Sequence, residues 1–432
     1  MRAPKPWHFF VLVIPFGVSF GWVGVALPYV AHEKGIALEA ITHIQAAAFL
    51  LHSAKVLWAP FVDATLTRKT WYLIALALLA AGTFGMVAMP ISSASLPALQ
   101  AVVVASQFGL TLLYMACEGT LGRAVPAERK STAASWLQAG TFLGFGVGGG
   151  IAIELVSRLP GQVAGAILAL GLCLCALPLL AFDEPSDHKE HAGAAAGDLL
   201  RDIWSLLRSR AGIVAVVFAI STVGAGVASN LFSALADSWH ASRGLVETTN
   251  GWLAGIVQAS GAGLGGWAMK RLDRRATYML GGGMSAAMGI AMAFGPRTWW
   301  AYAGFTLVYN LFVGTAYAAF SAFAYATIGK SAVATKYNIL ACLMNGAISG
   351  KYALVGAASR RWGGDGVLLS DAAITLGAIV VLGVVIAIVG RPAPSESGSS
   401  PEASRGRRLP PARPSGASRR RRRAASPPGR TP

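Results

Sequence analysis

Residues 161–182 read Gly161-Gln-Val-Ala-Gly-Ala-Ile-Leu-Ala-Leu-Gly-Leu-Cys-Leu-Cys-Ala-Leu-Pro-Leu-Leu-Ala-Phe182, without one Asp, Glu, Lys, Arg or His. As a helix rising ~1.5 Å per residue, this run is about 33 Å long. That is enough to cross a hydrocarbon layer ~30 Å thick. Trp71–Pro90, Tyr278–Phe294 and Asp371–Gly390 repeat the pattern with almost no ionisable group. Of the 432 residues, 54% are hydrophobic and 13% charged, about half the charged fraction of a soluble globular chain. A soluble architecture is excluded. The first apolar run, Met1–Tyr29, is too long for a signal peptide and is read as a span.

Twelve spans are expected, near 7–30, 40–62, 71–90, 96–122, 132–156, 161–182, 211–236, 247–268, 276–295, 298–325, 335–357 and 368–390. The reading is an all-α membrane protein of twelve transmembrane helices in two pseudo-symmetric six-helix bundles, over 1–182 and 211–390. A linker over 183–210 joins them. Within it, Leu199, Leu200, Ile203, Leu206 and Leu207 fall on one helical face and Arg201, Asp202, Ser205 and Arg208 on the other, an amphipathic helix suited to the membrane surface. The tail over 391–432 is rich in Pro, Ser, Gly and Arg and is expected to be disordered. Its arginines suit contact with anionic lipid.

The net charge is +17, of which the tail, with eleven Arg and two Glu, supplies +9. The rest is spread over short loops and marks orientation rather than a nucleic-acid partner. Apart from the tail, Lys55 and Lys351, 17 of the remaining 23 Lys and Arg lie on the side that carries the N-terminus, and six lie opposite. Both termini are therefore expected in the cytoplasm and the protein in the cytoplasmic (inner) membrane. Cys117, Cys173, Cys175 and Cys342 all sit in apolar stretches and read as small buried hydrophobes. No disulfide, metal or cofactor is expected.

The halves repeat. Lys130-Ser-Thr-Ala-Ala-Ser-Trp-Leu-Gln138 aligns with Lys330-Ser-Ala-Val-Ala-Thr-Lys-Tyr-Asn338 at an offset of 200 residues. Duplicated halves are a common build for secondary transporters, with the site at their interface near mid-membrane. Spans three, six, nine and twelve are nearly featureless. Polar residues gather on other spans and follow helical faces: Gln107, Thr111, Tyr114 and Glu118 on span four; Gln45, His52 and Lys55 on span two; Thr222, Ser229, Ser233 and Asp237 on span seven. Span ten carries Asn310, Tyr317 and Ser321, and span eleven Asn338, Asn345, Ser349 and Tyr352. Lipid cannot satisfy such stripes, so they face protein or water. Single Ser, Thr and Asn residues commonly act as glue between helices; five stripes together point to a lined cavity. Gln138 and Asn230 join the candidates for that path.

Ionisable groups inside spans are costly and signal function. Glu118 is the first candidate for a proton or substrate group, followed by Glu154, Asp237 and Lys351; Lys351 is off the face of Asn345 and Ser349. Gly140, Gly144 and Gly148 in span five, and Gly251, Gly255 and the run 261–266 in span eight, suit close packing of two helices from opposite halves.

The architecture resembles the major facilitator superfamily. That family places a Gly-x-x-x-Asp-Arg/Lys-x-Gly-Arg-Arg/Lys turn between spans two and three and a weaker copy between eight and nine. Here the copies are Asp63 with Arg68 and Lys69, and Gly266-Trp-Ala-Met-Lys270-Arg271-Leu-Asp273-Arg274-Arg275. The resemblance implies a latch that these charges close across the helix ends. Within the superfamily the chain looks like the AmpG-like branch of muropeptide permeases and acetyl-CoA transporters. The stretches that carry this are Gly24-Val-Ala-Leu-Pro28, Lys55-Val-Leu-Trp-Ala-Pro-Phe-Val-Asp63, Pro126-Ala-Glu-Arg129 with Gln138 and Gly140, and Ala316–Phe323 leading to Ala334-Thr-Lys-Tyr-Asn-Ile-Leu340. Ser221-Thr-Val-Gly-Ala225 stands where the branch carries Lys and Asp, and Lys336 replaces a usual Gln. The resemblance implies solute uptake by alternating access, driven by protons, with a muropeptide, a siderophore or a similar molecule as substrate and a monomer as the working unit. The alternatives are a proton-driven exporter of amphipathic compounds, and from other classes a membrane-embedded enzyme or a non-transporting receptor. The short outer loops and the absence of His pairs at metal spacing within the spans speak against an enzyme.

Overall fold

The computed structural model describes residues 3–184, 208–327 and 333–389, together with 197, 201 and 204. The expected linker helix over 198–208 lies almost wholly outside the described residues, as do Lys330 and the tail over 391–432. The spans are α1 His8–Glu33, α2 (38–64), α3 Arg68–Ala88, α4 Leu96–Ala124, α5 (127–158) and α6 Gly161–Ala181. The second half holds α7 (210–239), α8 (243–268), α9 Arg274–Phe294, α10 Trp299–Thr327, α11 (333–362) and α12 (364–389). No strand occurs among the described residues. Gly363 alone separates α11 from α12, at φ 57° and ψ −139°, backbone angles that only glycine adopts cheaply.

The expected helices form because a span that satisfies its own backbone is one of two solutions open to a chain in lipid. Leu170, Leu174 and Leu180 of α6 and Val380, Val381 and Ile388 of α12 are exposed. Water would penalise such faces; acyl chains do not. Trp7 and Trp267 stand exposed at the end that carries the linker, and Trp299, Trp300 and Trp362 at the opposite end. That is the headgroup depth that indole rings prefer. These ends are called the linker end and the far end below.

The core is continuous at the far end and divided toward the linker end. One buried cluster joins Trp22, Leu27, Ile44 and Ala48 of the first half to Leu231, Phe232, Tyr309 and Tyr352 of the second. Two further clusters lie toward the linker end, one wholly of the first half around Tyr72, Leu113 and Leu137. The other is built around Phe218, Tyr278 and Phe320 of the second half, with Val56 the first-half residue packed against it. Polar contacts between the halves follow the same division. Ser233 donates to the Val25 carbonyl at 2.8 Å and Ser349 to the Ala46 carbonyl at 2.7 Å. Arg360 pairs with Glu39 at 2.7 Å and Arg243 with Glu33 at 3.6 Å.

The glycine stripes pack differently from expectation. A Cβ on Gly140, Gly144 or Gly148 would meet the carbonyls of Phe10, Ile14 and Val18, so the α5 stripe seats α1 of its own half. Gly261 and Gly265 of α8 likewise seat α10. The expected approach of α5 to α8 is closest at their far-end turns, where a Cβ on Gly251 would lie 2.9 Å from Gly150 and one on Gly146 would meet Trp252. Gly150 and Gly251 sit in π-helical turns, 147–151 and 247–252, and a third such turn spans 22–26 in α1. An extra residue per turn re-aims the side chains beyond it.

Candidate functional site

Helix α7 supplies the most irregular backbone. Its first helical stretch ends at Ile220, and Thr222 (φ 54°) and Gly226 (φ 57°) adopt the left-handed region. The chain then continues in short turns from Val227. The loosened backbone is held from α9: the Tyr278 hydroxyl accepts from the Gly224 N–H at 3.2 Å and contacts the Ser221 hydroxyl at 3.3 Å. Broken helices near mid-membrane are tolerated where protein or a water-lined cavity meets their free groups. The break delivers Asn230 to the interface between the halves.

There lies a small pocket, closed down to about 10 Å³ in this conformation. Phe20, Val23 and Gly24 of α1, Gln45, Ala48, Phe49 and His52 of α2, Gln107 of α4 and Asn230 of α7 line it. Its polar groups are ordered. His52 Nε2 and Gln107 Oε1 are 2.9 Å apart, and Gln107 Nε2 donates to Ser19 Oγ at 3.2 Å. Gln45 Nε2 donates to the Val23 carbonyl inside the π-turn of α1. Asn230 Nδ2 donates to the Tyr352 hydroxyl at 2.7 Å, which turns Asn230 Oδ1 toward Gly24 and the pocket. No Asp, Glu, Lys or Arg lines it among the described residues. The arrangement offers amide and imidazole hydrogen bonds beside two aromatic faces, a surface suited to an uncharged hydroxyl- or amide-bearing ring.

Of the sequence candidates, Gln107 and Asn230 line this pocket. Thr111 lies a turn further along α4 and is engaged by Trp58, whose Nε1 donates to it at 3.2 Å. Tyr114 and Glu118 continue toward the linker end. Tyr114 packs at a tilt against Phe16 at a centroid distance of 4.6 Å and lies within electrostatic range of Glu118, Tyr317 and Tyr337. Glu118 and Tyr317 are exposed, and Lys55 lies within electrostatic range of Glu118. These residues of α2, α4, α10 and α11 form a second cluster that faces across the halves at the linker end. Asn310 is elsewhere: it accepts from Gln258 at 2.7 Å and donates to the Thr306 carbonyl at 2.8 Å, joining α8 to α10. Asn338 and Asn345 are half-buried on α11, and Gln138 is exposed on α5; none of the three lines the pocket.

The latch candidates contact their own halves. Backbone N–H groups of Arg68 and Lys69 donate to the Glu184 carboxylate, and Lys69 Nζ donates to the Leu179 carbonyl at 2.6 Å. The Arg68 side chain lies against Gly119 of α4. Arg271 covers Trp267, and Arg275 covers Phe323. Lys270, Asp273 and Arg274 are exposed, and Asp63 sits next to the end of α2.

One group escaped the sequence reading. Asp371 looked like the start of a featureless span, yet α12 begins at 364 and places it two turns inside, 2% exposed. Lys351 reaches it rather than the pocket, with Nζ 2.8 Å from Asp371 Oδ1 and 2.7 Å from Thr375 Oγ1. No group of three or more His, Cys, Asp or Glu able to hold a metal occurs among the described residues.

Comparison with known proteins places this architecture. The family model described as Major Facilitator Superfamily matches residues 9–348. Nucleoside transporter NupG superposes with a TM-score of 0.68 at 12% identity, over 88% of this chain and 98% of that one. A D-xylose-proton symporter gives 0.67 at 12% identity, over 87% and 96%. A bacterial homolog to the human lysosomal transporter Spinster, in an inward-facing and unoccupied conformation, gives 0.64 at 13%, over 89% and 96%. No curated protein sequence matches. At these identities the superpositions speak for the fold, and the family match covers most of the chain: it belongs to the major facilitator superfamily and is a secondary transporter of the membrane, not an enzyme.

Proposed function

We propose that this transporter takes up a mid-sized organic solute by alternating access and proton symport. Its substrate would be a peptidoglycan fragment, a siderophore or a related sugar–peptide that presents an uncharged ring to the central pocket. The carrying observation is that pocket: it lies where the halves meet, hydrogen-bonding groups line it, and no fixed charge does. Glu118, Lys55 and Tyr317 at the linker-end cluster are suited to the charged part of such a molecule. The sequence resemblance to AmpG-like permeases supports this substrate class, and the fold shared with a D-xylose-proton symporter is compatible with it.

The moving bodies are taken to be 1–182 and 211–390, carried by the linker over 183–210 and followed by the basic tail over 391–432, in a monomer. With both termini cytoplasmic, as the Lys and Arg bias supports, the linker end faces the cytoplasm. The far end is then the sealed face in this conformation. Asp63, Arg68 and Lys69 would meet Lys270, Arg271, Asp273, Arg274 and Arg275 as a latch when the linker end closes.

The test is flux. Purified protein in vesicles loaded with a pH-sensitive dye is challenged with muropeptides, siderophores, short peptides and neutral sugars. Acidification evoked by a sugar-bearing compound supports the reading. Entry without proton movement removes symport, and silence across the panel removes this substrate class.

A further inference from the structure

We propose that His52 is the proton-binding residue of the transport cycle, an inference that rests on the symport reading above. His52 lines the central pocket and is buried in this conformation. Its hydrogen-bond chain assigns its chemistry. Gln107 Nε2 lies 3.2 Å from Ser19 Oγ, and Gln107 Oε1 faces His52 Nε2 at 2.9 Å. An oxygen there requires Nε2 of the imidazole to carry hydrogen, so Nδ1 holds the lone pair. In this arrangement the ring is a neutral base, with one nitrogen engaged by a partner from another helix.

The surroundings decide when that base can take a proton. The Phe49 ring lies tilted beside His52 at a centroid distance of 6.2 Å, and α1 and α7 bring no ionisable side chain to the pocket. From its own helix, Lys55 lies within electrostatic range, three residues on. From α4, Glu118 is eleven residues beyond Gln107, about 16 Å along the helix axis. From α11, the Tyr352 hydroxyl is held by Asn230, and Lys351 is turned to Asp371. No carboxylate neutralises an imidazolium here, and Lys55 opposes one. A buried unpaired cation is strongly disfavoured. A solute oxygen placed against Nδ1–H would convert it into a charge-assisted hydrogen bond.

This gives coupling without a further device. When the far end opens, water reaches His52 and Nδ1 takes a proton from it. The empty protonated carrier cannot close over the charge. With solute present, its oxygen accepts from Nδ1–H, and both are carried inward together. When solute leaves toward the linker end and water replaces it, the imidazolium is again unpaired and returns its proton to that water.

The inference can be tested without knowing the solute, using protons as the probe. Spin labels are placed at Arg123→Cys on α4 and Leu272→Cys beyond α8, with Cys173 replaced by serine, and the protein is reconstituted in vesicles. Acidification is expected to shorten the linker-end distance, with a midpoint between about pH 5 and 8. His52→Gln should flatten that response, and Glu118→Gln should leave it in place. A response unchanged in His52→Gln, abolished in Glu118→Gln, or absent from the parent protein overturns the proposal. Nitrogen chemical shifts of the His52 ring, followed over the same range in the unsubstituted protein, provide a reading independent of variant folding. A ring that stays neutral throughout refutes the proposal, while a silent solute panel alone would count only against the substrate class.

Discussion

The ammonium of Lys351 and the carboxylate of Asp371 lie 2.8 Å apart between α11 and α12, each about 2% exposed. Tyr309 of α10 donates to the second oxygen of Asp371 at 2.7 Å, and Lys351 also donates to Thr375. Tyr309 in turn packs edge-on against Phe232, just beyond the break in α7, at 5.0 Å. The pair therefore ties three helices of the second half together from behind the pocket. Removing one partner strands a buried charge, which costs about 3–5 kcal/mol. Lys351→Met and Asp371→Leu should each lower the melting temperature of the detergent-solubilised protein markedly. The double variant Lys351→Met/Asp371→Leu should lose less than the sum. Additive losses in a double-mutant cycle would show that the two residues act independently.

The far-end seam predicts a shift in conformation. Gly251 and Gly150 approach so closely that a methyl on Gly251 has to move α8 from α5. Gly251→Ala is expected to bias the protein toward an open far end. Labelling of Ser233→Cys, a position 2% exposed in this conformation, by a membrane-impermeant maleimide should then speed up several-fold from the far side. Equal labelling rates with and without the alanine would mean that the seam absorbs the methyl by local adjustment.

Much of this architecture was legible in the sequence, for a reason specific to lipid. A span in hydrocarbon cannot expose polar groups outward, so Gln45, His52 and Gln107 had to face protein, and they meet in one pocket. What the stripes could not show is which polar groups are consumed by each other. Asn310 is taken up by Gln258, an amide on the glycine-rich α8 that belongs to none of the stripes. Asp371 was concealed by a helix start four residues earlier than its apolar run suggests, because Gly363 turns the chain with no polar loop to mark it. The break in α7 depends on Tyr278 of another helix, a contact that no local pattern encodes.

Glu184 is expected to act as a helix cap rather than as part of a moving latch. Its carboxylate accepts from the first N–H groups of α3, those of Arg68 and Lys69, where a helix start favours negative charge. Thr67 already caps the N–H of Thr70 at 3.2 Å. Glu184→Ala should therefore cost about 0.5–2 kcal/mol, the usual range for a lost cap. It should lower thermal stability while leaving the distribution between linker-end-open and closed states unchanged in spin-label distances. A redistribution of those distances would instead assign Glu184 to the gating charges.

Asn230 joins the broken helix to the pocket, and its two ends do different work. Nδ2 is held by the Tyr352 hydroxyl, so Oδ1 is the end presented to solute. Tyr352→Phe removes the anchor yet keeps the ring that packs on Phe49 at 5.4 Å. The freed amide can then rotate, and one oriented hydrogen bond to solute is lost, worth about 1 kcal/mol or roughly fivefold in affinity. Asn230→Ala removes the acceptor itself and leaves the buried Tyr352 hydroxyl without that donor, so it should weaken binding more and also lower stability. Binding of whichever compound of the vesicle panel is transported, measured by counterflow at equal pH on both sides, isolates this step from the proton gradient. Equal affinities in Tyr352→Phe and the parent protein would show that Asn230 Oδ1 does not contact the solute, and the pocket's recognition would then rest on Gln45, His52 and Gln107.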